Sequence, residues 1–189
     1  ELGTYGSEAD FYITTDGVVV SNHDPTIKNS AGQTFTIANS TYDQIKDITL
    51  SNGEKVATFD DYLDILATSS KTKLVIEIKD QGDVTKNERI VDAIVAELQN
   101  RQMVDKIDLI SFNYTVCQRF AKGLPSVTVG YLSGDKAPST IDPAIKCIDY
   151  SYGTLRSNPK WIQEAHDLGM KVNVWTVNST TDMLDFIVQ

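Results

Sequence analysis

The sequence lacks the features that mark several large classes of protein. It has no run of apolar residues near the ~18 needed to cross a bilayer, so we expect no stable insertion into a membrane. It has no cluster of lysine and arginine, and its net charge is −9 with a pI of about 4.6. This balance argues against partnership with nucleic acid or with anionic membranes, while it still allows one small anion held beside a metal.

Cysteine is equally scarce, because Cys117 and Cys147 are the only two in the chain. They lie far apart and lack the paired spacing of zinc ligands, and two thiols do not make the disulfide framework of a small secreted scaffold. We therefore expect two free thiols in or near the core. The first ten residues have neither the basic start nor the apolar stretch of a signal peptide, and the compartment stays open.

What the sequence does contain is an alternation of short strands and amphipathic helices. Hydrophobic residues make up 41% and charged residues 23%, which is ordinary for a folded domain. Strands are predicted over 9–14, 17–22, 74–79, 107–111, 127–132, 147–150 and 172–177, and helices over 58–67, 87–101, 114–122, 159–168 and 181–187. This order predicts a parallel sheet with helices outside it, as a barrel or an open doubly wound sheet. No glycine-rich fingerprint follows a strand, so nothing supports a nucleotide-binding version.

The length favours a shortened barrel. A (β/α)₈ barrel usually needs ~250 residues, about 60 more than this chain has. The sequence opens in what resembles a helix end, at 1–3, and stops inside a helix, at 182–189. We predict one domain over 1–189: an α/β barrel of the TIM type without its first and last strands. The polar segment 25–57 is predicted to be a small insertion with one short helix near 42–48.

One stretch concentrates residues that carry chemistry. Asp16-Gly17 between two alternating runs is typical of a two-residue hairpin turn, which fixes the register of the flanking strands. Paired positions then sum to 33, so Asp10 is predicted to face His23, with Glu8 two residues along on the same face. The hairpin alone thus predicts a cluster of two carboxylates and one imidazole.

Such a cluster needs positive charge to offset it. Two carboxylates that point into a barrel are costly unless something pairs with them, and a hard divalent cation prefers oxygen ligands. The strand at 73–79 adds Glu77 and Lys79 on one face, as a third carboxylate ligand and a contact for an anion. Metal, lysine and imidazole together describe a site for a phosphate ester, in which His23 would move a proton.

Simpler interpretations of the same residues remain open. Glu8 and Asp10 are also compatible with a solvated edge strand, and His23 with an exposed loop turn. Glu77 and Lys79 are also compatible with an internal ion pair.

Two further residues, Trp175 and His166, are judged by their place in the predicted barrel. Trp175, near the end of a strand, fits a pocket wall and plain core equally well. His166 falls on a predicted outer helix, which is the wrong place for barrel chemistry.

The ordered set of motifs resembles the glycerophosphodiester phosphodiesterase family over nearly the whole chain. The matching pieces are E-x-D, T-x-D-G-V-x-V and H-D-P-T between residues 8 and 26, then I-E-I-K at 76–79, S-F-N at 111–113 and V-W-T-V-N at 174–178. The resemblance implies a TIM barrel and a bound Mg²⁺ or Ca²⁺. It implies that the metal ligands are Glu8, Asp10 and Glu77, that one of two general acid/base histidines is His23, that Lys79 contacts the phosphate, and that the substrate pocket is lined by Phe112 and Trp175.

The sequence also departs from the family pattern. The family's opening His-Arg-Gly strand, which holds the other catalytic histidine, and its Glu-Asn-Thr segment would precede residue 1. Its closing strand would follow residue 189, and Lys28-Asn29-Ser30 stands where Arg-Thr-Thr is common. We therefore expect the natural protein to be longer.

The function that the resemblance implies is metal-dependent hydrolysis of a small glycerophosphodiester. The products would be sn-glycerol 3-phosphate and an alcohol, formed by general acid/base catalysis. Two alternatives stay open: a related barrel phosphodiesterase that acts on phospholipid head groups, and a degenerate domain that binds a glycerophospho ligand or a partner without turnover. The alcohol, the metal and the oligomeric state are not predicted.

Overall fold

The computed structural model describes residues 3–69 and 71–187. Nine strands lie at β1 Gly6–Ile13, β2 Val19–Ser21, β3 Thr26–Lys28, β4 Thr34–Thr36, β5 Lys73–Ile78, β6 Ile107–Ser111, β7 Val129–Tyr131, β8 Cys147–Ser151 and β9 Lys171–Trp175. Seven α-helices lie at α1 Tyr42–Ile45, α2 Phe59–Ala67, α3 Val84–Asn100, α4 Tyr114–Gly123, α5 Tyr152–Ser157, α6 Trp161–Asp167 and α7 Thr180–Ile187. The predicted helix end at 1–2 and the last residues of the predicted final helix, 188–189, lie outside the described residues.

Seven strands form the main sheet in the order β2-β1-β5-β6-β7-β8-β9. Six of them run parallel, and β2 pairs antiparallel with β1 at one edge. Strand and helix alternate from β5 onward, as predicted. Within the described residues no strand joins β9 to β2, so the sheet is an open arc of the barrel type.

Alternation along each strand divides the sheet into two faces. On β5, Leu74, Ile76 and Ile78 point to the helical layer and are buried, while the residues between them point to the inside of the arc. The three buried residues of β5 pack in one apolar core with residues such as Ile90 and Ile94 of α3. Burying each of these side chains stabilises the fold by roughly 1.5–3 kcal/mol. The helical side therefore carries the stability, and the inner face is free to carry polar groups.

Residues 25–57 form a second, smaller cluster beside the sheet. The hairpin of β3 and β4, the short 3-10 turn that follows it and the helix α1 bury Ile27, Ile37 and Ile45 respectively, against Tyr12 and Val20 of the first two strands. The predicted helix near 42–48 is thus present, as Tyr42–Ile45.

The predicted register of the first hairpin was wrong by one residue. Phe11 pairs with Ser21 and Ile13 with Val19, so paired positions sum to 32. The loop holds one more residue than predicted, because Thr14 N donates to Val18 O at 3.0 Å and Gly17 adopts a φ of +92°. A glycine in this left-handed region absorbs the extra residue of a three-residue hairpin loop.

The register decides which residue faces Asp10. Its carbonyl oxygen accepts a hydrogen bond from Asn22 N at 3.1 Å, so Asn22 and not His23 lies opposite it in the ladder. The side chain of Asp16 is also used differently: it accepts hydrogen bonds from Thr14 Oγ1 at 2.6 Å and from Tyr42 N at 3.0 Å. The turn is thereby tied to the start of α1, which gives a physical reason for the longer loop.

Two other features concern the described part of the chain. Cys117 and Cys147 are free and buried, as predicted. Among the described residues, no helix combines the length and the apolar character needed to cross a membrane.

Candidate active site

A pocket of about 560 Å³ opens on the inner face of the sheet, toward the carboxyl ends of its strands. In parallel α/β sheets this end is where ligands bind, because the strand-to-helix loops converge there. One side of the pocket is acidic and is built from β1 and β5. The other side is formed by β6, β8 and β9 and is largely apolar.

Three carboxylates meet on the acidic side. One oxygen each from Glu8, Asp10 and Glu77 lies within 4.8 Å of the other two. The pairing of β1 with β5 explains this, because Asp10 and Glu77 are direct partners in the parallel ladder and Glu8 precedes Asp10 by two residues on the same face. The cluster that was predicted from a hairpin is therefore assembled by the neighbouring parallel strand.

Lys79 lies among these carboxylates. Its Nζ is 2.9 Å from Asp10 Oδ1 and 2.6 Å from Glu77 Oε1. Burial disfavours the charged lysine, but the two carboxylates outweigh burial and raise the pKa of Lys79 above its usual value. The internal ion pair that the sequence left open is thus present, and it lies inside the pocket.

Burial and neighbouring negative charge raise the pKa values of two of these carboxyls. The pKa of Glu8 is raised to about 7, first because the pocket walls desolvate its carboxylate and then because Asp10 and Glu77 repel its charge. The pKa of Glu77 is raised as well, mainly by burial, against the opposing effect of Lys79. Glu8 as a whole residue is still exposed, so its carboxylate remains accessible from the pocket.

The donor set fits a hard divalent cation. Glu77 Oε1 is the one buried side-chain polar atom in residues 3–69 and 71–187 that accepts no hydrogen bond in good geometry, although Lys79 Nζ lies close to it. Three carboxylates with oxygen donors only suit Mg²⁺ or Ca²⁺ better than a softer metal.

His23 lies at the mouth of the pocket, beyond the end of β2. Its side chain is 80% exposed and its Nδ1 is 3.0 Å from Asp24 Oδ1. The loop around it is shaped by Asn22, whose side-chain amide donates to the carbonyl oxygen of Asp24 at 2.6 Å. The loop after β2, and not pairing between strands, therefore places the imidazole at the carboxylate pocket. His166 lies exposed on α6, outside the pocket.

An aromatic pair forms the opposite wall. The rings of Phe112 and Trp175 pack edge to face, with centroids 5.8 Å apart and planes at 76°. Both stay partly exposed, at 47% and 37%. Trp175 Nε1 donates to the carbonyl oxygen of Asp149 at 2.9 Å, which fixes the indole. Of the two interpretations of Trp175, the structure favours the pocket wall.

Sequence reasoning missed Asp149 and its neighbour Asn173, which line the pocket between the aromatic pair and the carboxylates. Asp149 is buried, and burial raises the pKa of its carboxyl to about 6, with a further contribution from the charge of Glu77 and an opposing one from the Asn173 amide. The signal was present: Asp149 is the single acidic residue in a buried strand, the pattern that drew attention to Glu77.

Comparisons with known proteins identify the family to which the chain is similar. Residues 1–187 match the sequence model of the Glycerophosphoryl diester phosphodiesterase family. A solved glycerophosphodiester phosphodiesterase from Parabacteroides distasonis is 34% identical, with a TM-score of 0.91 over 99% of this chain and 77% of that one. A glycerophosphodiester phosphodiesterase from Caldanaerobacter subterraneus subsp. tengcongensis is 21% identical over 97% of this chain and 78% of its own length.

A third relative shares the fold. A phosphodiesterase from Oleispira antarctica, solved with the product sn-glycerol-3-phosphate, is 18% identical with a TM-score of 0.82 over 98% of this chain and 78% of that one. These likenesses confirm the barrel-type fold and the resemblance that the motifs suggested. Because the family match spans almost every residue, the chain belongs to the glycerophosphoryl diester phosphodiesterase family and to that class of enzymes.

Proposed function

We propose that this chain carries the site at which a glycerophosphodiester is hydrolysed to sn-glycerol 3-phosphate and an alcohol. The observation that carries the proposal is the convergence of Glu8, Asp10 and Glu77 with Lys79 in one open pocket that also holds His23. The Oleispira relative with bound sn-glycerol-3-phosphate supports the same choice of substrate.

In this proposal the three carboxylates hold a divalent cation, Mg²⁺ or Ca²⁺. When bound, such an ion neutralises the charge that develops on the phosphate oxygens during displacement at phosphorus. The three carboxylates, Glu8, Asp10 and Glu77, bring oxygen ligands to one place without help from residues outside the described chain. Burial first, and then repulsion from Asp10 and Glu77, raise the pKa of Glu8, and a bound cation would offset both costs of the charged carboxylate.

Lys79 supplies the remaining positive charge. Its ammonium already lies between Asp10 and Glu77, and it points into the same pocket. A cation bound to the carboxylates would leave the ammonium free to contact a phosphate oxygen. Lysine suits this role because it acts as a compact point charge with three donors.

His23 moves the proton. Hydrolysis adds water across the P–O bond, so a proton must leave the attacking water and another must reach the oxygen of the departing alcohol. With Nδ1 held by Asp24 at 3.0 Å, Nε2 is the nitrogen of His23 that faces away from that contact and can exchange a proton with either oxygen. A second acid/base group is required for the other half of the reaction.

Phe112 and Trp175 complete the site as the wall against which the alcohol moiety packs. Their partly exposed rings offer apolar surface beside the acidic cluster. A small organic group attached to the phosphate would bury this surface on binding.

The test is an assay of the natural protein that contains this chain, with glycerophosphodiesters as substrates and sn-glycerol 3-phosphate as the measured product. We expect turnover that a chelator abolishes and that Mg²⁺ or Ca²⁺ restores. Turnover of intact phospholipid in preference to deacylated diesters would identify the head-group alternative. Cation binding by the natural protein without any hydrolysis would reject the enzymatic proposal in favour of a binding domain.

A further inference from the structure

We propose that Asp149, with the rings of Trp175 and Phe112, forms a subsite for a positively charged amino group on the alcohol moiety of the substrate. The inference rests on the proposed function and adds to it the chemical class of the diester, an ester of a cationic amino alcohol. The subsite lies in the same pocket as the carboxylate cluster but is built from β8 and β9 on the far wall.

The first argument is the missing counter-charge of Asp149. The residue is only 8% exposed, and its side-chain partner is the neutral amide of Asn173. No lysine, arginine or histidine of the described chain forms an ion pair with it. A buried carboxylate without a cation is costly, and such groups are retained where they serve a ligand.

The second argument is the separation of Asp149 from the other acidic groups. Glu8, Asp10 and Glu77 form one cluster, and Asp149 is not a member of it. That cluster has Lys79 to offset part of its charge. The charge of Asp149 therefore stays unbalanced even when the cluster is satisfied.

The third argument is space. Asp149 lines the same pocket of about 560 Å³ as Glu8, Asp10 and Glu77. A diester whose phosphate is held at the carboxylate cluster therefore has room to extend its alcohol toward Asp149.

The fourth argument is the aromatic wall. Trp175 donates its Nε1 hydrogen to the backbone carbonyl oxygen of Asp149, which holds the indole next to this residue. Phe112 packs edge to face on that indole. Aromatic faces attract ammonium groups, and here they line the same pocket as Asp149. A hydroxyl group would hydrogen-bond to Asp149 but would leave its charge unbalanced, so the observations favour a cation.

The experiment compares two diesters that differ in the charge of one alcohol. Glycerophosphoethanolamine carries an ammonium group, and glycerophosphoglycerol carries hydroxyls in its place. We expect the natural protein to prefer the cationic diester in kcat/KM by roughly 10- to 100-fold, the range of a hydrogen bond to a charged group. In Asp149→Asn the ratio between the two substrates should fall to near one.

The variants include a matched control. Asp108→Asn removes another inward-facing buried carboxylate, one that pairs with Lys73 at 3.1 Å, and should leave the substrate ratio as it is. No preference for the cationic diester, or a preference that survives in Asp149→Asn, would overturn the inference.

Calorimetric binding of the same two diesters to His23→Ala separates this inference from the proposed function. A preference in binding that depends on Asp149, in a natural protein that hydrolyses neither diester, would keep the subsite and reject the hydrolysis. Hydrolysis of both diesters with equal efficiency would keep the proposed function and reject the subsite.

Discussion

Lys79 Nζ lies 2.6 Å from Glu77 Oε1, the carboxylate two residues earlier in the chain. This short ion pair gives a buried carboxylate its counter-charge. The same ammonium also contacts Asp10 at 2.9 Å. Two buried carboxylates thus depend on one lysine for their counter-charge.

Lys79→Met is expected to destabilise the cation-free protein. Lys79, Asp10 and Glu77 are all at least four-fifths buried in their side chains, and breaking a buried pair by removing one partner costs roughly 3 kcal/mol. Ca²⁺ or Mg²⁺ at 100 times its Kd should raise the free energy of unfolding by about 2.7 kcal/mol, because only the folded state holds the assembled carboxylates. Thermal unfolding with and without cation measures both effects.

The matched control is Lys73→Met, which removes the lysine at the start of β5 from its ion pair with Asp108. It should destabilise the protein too, but a cation should not rescue it beyond the effect seen in the unmodified protein. Equal rescue of both variants, or none for Lys79→Met, would contradict a cation site at Glu8, Asp10 and Glu77.

His23→Ala is expected to lower turnover by about 10²–10⁴-fold without changing stability. The imidazole is 80% exposed and is held by its hydrogen bond to Asp24, so its loss removes little packing. Steady-state kinetics and thermal unfolding of the same preparation separate the two effects. His166→Ala, the change of the other histidine of the chain, should leave both unchanged. Full activity in His23→Ala would show that this side chain moves no proton in the reaction.

Phe112→Ala is expected to raise KM by roughly tenfold and to change kcat much less. The ring is 47% exposed and contacts the indole of Trp175, so it contributes binding surface more than stability. Tyr152→Ala is the control, because this tyrosine is similarly exposed but packs on Arg156 outside the pocket. A fall in kcat at constant KM for Phe112→Ala would place the ring in the chemistry and not in binding.

The sequence predicted the barrel-type alternation and the residues of the acidic cluster, but for a partly incorrect reason. Glu8 and Asp10 share a face at spacing two, and so do Glu77 and Lys79, and this local periodicity does not depend on the fold. What brings the two pairs together is the parallel ladder between β1 and β5. That pairing joins segments more than sixty residues apart, and a single sequence does not encode it in a local pattern.

The hairpin register shows the opposite case, in which a local signal misled. Asp16-Gly17 is typical of a two-residue turn, but the carboxylate of Asp16 is held by Tyr42 N in a segment that the turn signal does not include. A tertiary contact thus decided the loop length. Asp149 carries the same local signal as Glu77, a single acidic residue in a buried strand, but the sequence does not show that no cation of the described chain pairs with it.

Asp149→Asn is expected to make the protein more stable at neutral pH. Burial raises the pKa of this carboxyl from its usual 3.8 to about 6, so the folded state disfavours the charged form. Because the pKa is higher in the folded state than in the unfolded state, the charged carboxylate destabilises the fold. This destabilisation is fully present above pH 6, declines as the pH falls through 6, and is absent below 3.8. A shift of this size corresponds to about 1–3 kcal/mol.

The asparagine keeps the shape of the side chain and can still accept a hydrogen bond from the Asn173 amide, so the substitution removes mainly the charge. Denaturant unfolding at pH 7.5 should therefore show the variant more stable by that amount, and at pH 4 the two proteins should differ little. Asp108→Asn should behave in the opposite way at pH 7.5, because it breaks the pair with Lys73. A stability gain for Asp149→Asn that persisted unchanged at pH 4 would show that the charge is not its cause. A gain confined to neutral pH is expected of a carboxylate that lowers the stability of the fold so that a cation can bind.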